Sequence, residues 1–189
     1  MPSLMRRKEG AVVPRWDGRP FFVFAADPGG TTGCATAQWE PASPDDTLTS
    51  VEQIKFRQWQ IGPGPHHVEL WSTLSANPYT MFVWEEFEFR QHIYRDKDGN
   101  PHVSRHKVEL ISRNYIGVME LYVALNNAPH YSLNASAAKH FIDNEKIEQV
   151  GLWLPGMGHA MDATRHLLRY MFVKMKIKAP FADIWLADD

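Results

Sequence analysis

Three carboxylates in this sequence stand where acidic side chains can do chemistry. Asp27 and Glu85 each end one of the two most apolar segments of the chain, and Asp162 follows His159 by three residues in a helical pattern. Carboxylates that are brought together raise one another's pKa unless a cation holds them. Hard oxygen ligands select Mg²⁺ or Mn²⁺ rather than zinc, and two such ions about 3.5–4 Å apart can drive phosphodiester hydrolysis. The pattern therefore predicts a metal site built from these acids.

Each acid also has a simpler interpretation. Asp27 could cap its own Pro-Gly turn, and Glu85 could be a surface charge at a strand end. Glu86 competes with Glu85, and by strand alternation only one of the two can share the face of Asp27. Asp162 could lie on a solvated helix face, paired with Arg165 or with the histidine at 166. The ordered set, with His159 beside it, favours a site.

The first acid needs a strand to hold it. The apolar run Phe21–Asp27 predicts a buried strand, and the glycine-rich turn that follows it contains glycines at 29, 30 and 33. These glycines are expected to supply the positive φ angles of a tight return. Residues 34–39 then run back antiparallel, and Val51–Ile61 alternates well enough to be a third strand. The first half of the chain therefore predicts a three-stranded meander.

The second acid follows a crossover. His66–Ala76 is a short amphipathic helix candidate, and Tyr79–Phe87 is the second strongly apolar strand. A strand, a helix and another apolar strand in that order predict a parallel pair joined by a helical crossover. This pairing would bring Glu85 to the same sheet edge as Asp27.

The remaining segments complete a mixed five-stranded sheet flanked by helices, an α/β fold. Residues 90–107 are polar and basic and predict a loop or small hairpin beside the acids, and His130–Leu133 predicts the last strand. Helices are expected at 108–125, from near Ala137, at 144–150 and at 159–175. On the last helix, one stripe should be buried (Met161, Thr164, Leu168, Met171 and Met175) and the opposite stripe polar (His159, Asp162, Arg165, His166 and Arg169).

Length and composition fit one globular domain. The chain has 189 residues, 44% of them hydrophobic, and a formal net charge of −2, which neither favours nor excludes a nucleic-acid partner. We expect a flexible N-terminal arm at 1–20, the domain at 21–178 and a C-terminal tail at 179–189. The single cysteine, Cys34, is expected to be a packing residue in a reducing compartment. We find no signal-peptide pattern and no run of membrane-spanning length, so a soluble protein is expected.

The ordered residues resemble a known family. Asp-Pro-Gly and Thr-Thr-Gly end the first strand at 27–33, Val-Trp-Glu occupies 83–85, and His-Ala-Met-Asp-Ala-Thr-Arg-His occupies 159–166. Together they look like RuvC-type Holliday-junction resolvases, and most like the divergent branch found in actinobacterial phages. The resemblance spans about residues 21–175 and includes Ala-Ala-Lys at 137–139.

The resemblance implies an RNase H-like fold and a homodimer that binds four-way DNA junctions. It also implies nicking that depends on Mg²⁺ or Mn²⁺, with two ions, in the cytoplasm or, for a phage protein, in the host cytoplasm. By position, Asp27 and Glu85 would be metal ligands, and Asp162 would close the site. His159 stands where many members have aspartate and some have histidine, so it could ligate a metal or transfer a proton to the leaving oxygen.

DNA contacts are expected next to the acids. In family members, an aromatic residue soon after the glutamate wedges into the junction. Phe87 or Phe89 could do so, although neither clearly matches the spacing and the simpler interpretation is that Phe87 is core. Basic residues on both sides of the acids are candidates for phosphate contact, whereas a solvated helix face is the simpler interpretation of the second group. The first group is Arg90, Arg95, Lys97, Arg105 and Lys107, and the second, after Asp162, is Arg165, Arg169, Lys174, Lys176 and Lys178; Lys139 is a further candidate.

Two other functions compete with a branched-DNA endonuclease. A glycine-rich hairpin after an aspartate also cradles phosphate in sugar and acetate kinases of the actin-like class. Those proteins need two such domains, and this chain has room for one and lacks a second hairpin of this type. The other candidate is a catalytically weak or silent branched-DNA-binding protein of the same fold.

Overall fold

A central sheet organises the protein, whose structure is a computed structural model that describes residues 18–43, 48, 51–86, 93–95, 97–98, 101–103 and 111–177. The strands are β1 (Phe21–Asp27), β2 (Thr32–Trp39), β3 (Lys55–Ile61), β4 (Met81–Glu85), β5 (Ile93–Arg95), β6 (Pro101–Val103) and β7 (His130–Leu133). The helices are α1 (His67–Ser75), α2 (Ile111–Asn126), α3 (Ala135–Phe141), α4 (Asn144–Gln149) and α5 (Gly158–Arg169). A 3₁₀ turn at Val51–Gln53 precedes β3, and a π-helical segment at Tyr170–Lys174 follows α5.

The five-stranded sheet has the order β3-β2-β1-β4-β7. β1, β2 and β3 form the predicted antiparallel meander, whereas β4 pairs parallel with β1 and β7 pairs parallel with β4. The predicted mixed sheet is therefore confirmed. In the register of β1 and β4, Ala26 lies beside Trp84, so Asp27 and Glu85 take the next positions of neighbouring strands at one edge.

Hydrophobic clusters cover both faces of the sheet. Alternation along β1 sends Phe24 into a cluster with α1 and α2, and sends Val23 into a cluster with α5. Both strands that carry the acids are buried for most of their length, which explains their nearly continuous apolar sequence. Burial raises the pKa of the Cys34 thiol, as expected of a packing residue.

The glycines of the β1–β2 turn serve a different purpose from the predicted one. In the described residues, positive φ angles occur at glycines 18, 62, 64, 151 and 156, and not at Gly29, Gly30 or Gly33. The prediction of left-handed glycines in this turn was therefore wrong. Gly33 is needed for close approach instead, because a Cβ there would lie 1.8 Å from the carbonyl oxygen of His159. The first turn of α5 thus rests directly on the backbone of β2.

The last helix differs from its predicted form in two respects. Regular α-helix ends at Arg169, and the predicted continuation to 175 is a π-helical segment. The predicted buried stripe is confirmed. On the polar stripe, Arg165 and His166 are buried as well, whereas His159 is exposed. α5 packs against β1 to β4 on one side and against α3 on the other, so both sides of the helix are covered.

The hairpin predicted within 90–107 is present as a two-stranded sheet of β5 and β6. The arm and tail predictions stay predictions, because residues 1–17 and 178–189 lie outside the described ranges. None of the helices in the described part of the chain is long and apolar enough to cross a membrane.

Candidate metal centre

Two acids and a histidine meet at the sheet edge. Because β1 and β4 are parallel and in register, both strands deliver their last side chains to one place. One ligand-capable atom each from Asp27, Glu85 and His166 lies within 4.8 Å of the other two. Glu85 is thus the glutamate that reaches Asp27, whereas Glu86 is exposed.

Each acid is paired with a histidine of α5. Nδ1 of His159 lies 2.9 Å from Oδ2 of Asp27, and Nε2 of His166 lies 3.1 Å from Oε2 of Glu85. Seven residues span about two helical turns, so both rings project from one side of α5. Their environments differ, since the His159 side chain is 51% exposed and that of His166 is 1% exposed.

Asp27 is an unusual carboxyl group. Burial raises its pKa to about 6, and the hydrogen bond from His159 opposes that rise. The neighbouring charges of Glu85 and Asp162 raise the pKa further, whereas His166 lowers it. An aspartate that resists ionisation near other acids is a group that a bound cation would favour in its charged form.

Asp162 is close enough to affect the pKa of Asp27, but the Asp162 side chain is itself paired with two basic side chains. Its Oδ1 accepts a hydrogen bond from Nη1 of Arg165 at 2.5 Å, and its Oδ2 lies 3.0 Å from Nζ of Lys139. Arg165 also donates from Nε to the carbonyl of Ile142 and from Nη2 to Asn144. These contacts tie α5 to the α3–α4 connection and argue against phosphate contact by Arg165.

Only some of the other residues predicted to contact DNA lie in the described part of the chain. Lys139 and Lys97 are exposed, and the guanidinium of Arg169 lies 5.6 Å from the ring centre of Phe141 with its Nε buried. Arg95 ends β5. The other predicted contacts lie outside the described residues: Phe87, Phe89, Arg90, Arg105 and Lys107.

A buried polar network lies under the β1–β2 turn. Oγ1 of Thr32 accepts a hydrogen bond from the Gly29 amide at 3.4 Å and lies 2.9 Å from Nε2 of His66. Nδ1 of His66 contacts the carbonyl of Gly64, and its ring stacks on Tyr115 with centres 4.0 Å apart. The network fixes the turn that follows Asp27. Sequence reasoning missed it, because His66 looked like an ordinary helix-start residue.

His166 was also missed as a site residue. It belonged to the predicted polar stripe of α5, and its spacing of seven from His159 was the signal that both rings face the same sheet edge. The prediction placed His166 on the polar stripe without giving it a role in the site.

The donor set fits a hard divalent cation. Asp27 and Glu85 supply carboxylate oxygens at one point, and both are partly exposed, with side chains 13% and 26% accessible. Oxygen donors of this kind suit Mg²⁺ or Mn²⁺. Burial is the main cause of the raised pKa of Asp27, the charges of Glu85 and Asp162 add to it, and a cation bound here would favour the ionised carboxylate.

Solved structures with the same architecture are Holliday-junction resolvases. Thermus thermophilus RuvC matches with a TM-score of 0.53 and 15% identity over 83% of this chain and 98% of that chain. The same protein in complex with a Holliday junction substrate matches with a TM-score of 0.52 and 14% identity over 82% and 96%. The Fowlpox virus resolvase with substrate Holliday junction DNA matches with a TM-score of 0.50 and 12% identity over 81% and 98%.

These likenesses show that the chain has the resolvase-type RNase H-like fold. No protein-family model matches the sequence, and no curated protein matches it significantly. The structural likeness therefore establishes the fold, and the evidence for function comes from the residues of the site.

Proposed function

We propose that this protein is a divalent-metal-dependent endonuclease that nicks four-way DNA junctions and related branched DNA. The observation that carries the proposal is the meeting of Asp27 and Glu85 at the ends of two parallel strands of a resolvase-type fold. Partly buried carboxylates that meet at one point seldom do so without a cation or a chemical task. Metal-assisted phosphodiester hydrolysis gives these acids that task.

In this proposal, Asp27 and Glu85 would hold Mg²⁺ or Mn²⁺, and Asp162 would complete the site. A bound divalent cation would supply Lewis-acid activation of the scissile phosphate and of the attacking water, and two ions would serve both sides of the bond. His159 is held by Asp27 through Nδ1, and its ring is half exposed. That orientation leaves Nε2 available to transfer a proton to the leaving oxygen.

The state of Asp162 favours a second candidate function, a catalytically weak or silent branched-DNA-binding protein. Both oxygens of Asp162 are engaged by Arg165 and Lys139. If those contacts persist when metal and DNA are present, two carboxylates remain for the metal. Junction binding without cleavage in either Mg²⁺ or Mn²⁺ would support this candidate over the first.

Several finer features belong to the same proposal. A homodimer would give two sites for nicking paired strands of a junction that itself has two-fold symmetry. Basic residues between 90 and 107, with Lys139, would contact phosphates, and an aromatic residue at 87 or 89 would enter the junction. We further propose that the protein belongs to the actinobacteriophage branch of the resolvases and acts in the cytoplasm.

Cleavage of a synthetic four-way junction tests the proposal. Wild-type protein should nick the junction in Mg²⁺ and not in EDTA, and both Asp27→Asn and Glu85→Gln should lose at least about 100-fold in rate, because each removes a metal oxygen. Glu86→Gln is the matched control, since its exposed carboxylate lies one residue away, and it should cleave normally. Full activity in Asp27→Asn would refute the assignment.

Substrate choice needs a separate comparison under one metal condition. Junction, flap and linear duplex of equal length should be cleaved in decreasing order if four-way DNA is the preferred substrate. Equal rates on all three would replace junction selectivity with general nuclease activity.

A further inference from the structure

His166 is the side chain of the site whose role neither the sequence nor the fold assigns. One nitrogen of its ring is near enough to Asp27 and Glu85 for His166 to be a third metal ligand, and Nε2 is the nitrogen that contacts Glu85. It could equally be a hydrogen-bond donor that holds Glu85. The two roles require the ring proton on different nitrogens, so the surroundings of both nitrogens decide between them.

The far side of the ring argues against ligation. A histidine that binds metal through Nε2 carries its proton on Nδ1, and this N–H almost always donates to a carboxylate, a carbonyl or a water. Nδ1 of His166 is buried and has no hydrogen-bond partner among the described residues. Ligation would therefore leave a buried N–H without an acceptor, an arrangement that proteins rarely tolerate.

The near side of the ring argues for donation. Nε2 lies 3.1 Å from Oε2 of Glu85, which is normal for an N–H donor and a carboxylate acceptor. With the proton on Nε2, this bond forms and only a lone pair on Nδ1 is left unsatisfied. With the proton on Nδ1, a lone pair of Nε2 would face a lone pair of Oε2 of Glu85 across 3.1 Å.

We propose that His166 is a positioning residue that donates its Nε2–H to Glu85 and does not ligate the metal. This inference rests on the proposed metal site. Glu85 has a flexible side chain, whereas the His166 ring is packed in the interior of the domain. The hydrogen bond holds one carboxylate oxygen of Glu85 and leaves the other oxygen for a cation. Partners of this kind typically change metal affinity about 10–100-fold when they are removed.

Nitrogen NMR reads the position of the proton directly. In protein labelled with ¹⁵N-histidine, long-range ¹H–¹⁵N correlations distinguish the two tautomers of each ring, and the His166→Gln spectrum identifies the signal by its loss. We expect the proton on Nε2 in metal-free protein and after saturation with Mg²⁺. A proton on Nδ1 in the metal-free protein, or its transfer to Nδ1 when Mg²⁺ is added, would overturn the inference.

Calorimetric titration with Mg²⁺ tests the consequence for the site. A glutamine amide can replace the Nε2–H donor, so His166→Gln should bind Mg²⁺ within about 3-fold of wild type, whereas His166→Leu should bind it about 10–100-fold more weakly. Equal weakening in both variants would contradict the positioning role. If wild-type protein binds no Mg²⁺, the proposed function fails, while the metal-free spectrum still decides the tautomer.

Discussion

Replacing Asp27 by asparagine should stabilise the metal-free protein while it abolishes cleavage. The pKa of Asp27 is raised from 3.8 to about 6, chiefly by burial. A carboxyl group whose pKa is higher in the folded state costs stability wherever it is ionised, so the cost appears as the pH rises through 3.8 and is complete above about 6. Asparagine has nearly the same shape and carries no charge, so it avoids that cost.

The magnitude follows from the difference between the two pKa values. At pH 7.5 this difference costs about 3 kcal/mol of folding stability. Asp27→Asn should recover about 2–3 kcal/mol of it, and not always the whole, because the charged hydrogen bond with His159 is lost. Near pH 4.5 the folded group is already protonated, and the gain should fall to about 1 kcal/mol. For a chain of this size, the gain at pH 7.5 is a rise in Tm of about 4–12 °C.

Urea unfolding in EDTA at both pH values measures the gain, with Glu86→Gln as the control for loss of an exposed charge. Adding Mg²⁺ should reverse the order, because a ligand at about 1,000 times its Kd stabilises wild type by about 4.1 kcal/mol, more than the gain of Asp27→Asn, and has no site in that variant. A gain that is equal at pH 4.5 and 7.5, or a loss of stability at pH 7.5, would refute the reasoning.

Three further predictions concern the support of the site. Gly33→Ala should lower the free energy of unfolding by about 1–3 kcal/mol and reduce cleavage, because its Cβ would push the first turn of α5 away. Gly30→Ala should do neither, because its Cβ would have no atom of the described residues within 4 Å; urea unfolding and a nicking assay check both variants. Arg165→Met should lower the free energy of unfolding by about 3–5 kcal/mol, because Asp162 loses its buried partner. Lys139→Met should change that free energy by no more than about 0.5 kcal/mol but weaken junction binding, as measured in a salt titration. Thr32→Val should cost about 1–3 kcal/mol because Nε2 of the buried imidazole loses its partner, and an unchanged midpoint in urea would contradict this.

The meeting of the two strand-end acids could be predicted because local pattern and chain topology agree. Asp27 and Glu85 each end an apolar run, and the rule that β-α-β units are parallel places both at one edge. Neither step requires knowledge of distant packing. The last strand was predicted from its short sequence alone, at its observed bounds, His130–Leu133.

The rest of the site depends on where α5 lies. Helical periodicity separates two stripes but does not say whether the polar one faces water, so the burial of Arg165 and His166 could not be predicted. Gly33 was interpreted as a turn glycine because turns are the commonest use of glycine. Its actual reason, the backbone of α5 lying against β2, is a contact between residues far apart in the chain.

The dependence of the site on α5 also has a consequence for synthesis of the chain. His159 reaches Asp27 across 132 residues, and His166 reaches Glu85 across 81. Contacts of such separation form late, and a chain on the ribosome has made β1 to β4 well before α5 emerges. An unfinished chain therefore presents two acids without the helix that orients them. The DNA cleavage proposed for this protein would therefore require α5, and with it a completed domain.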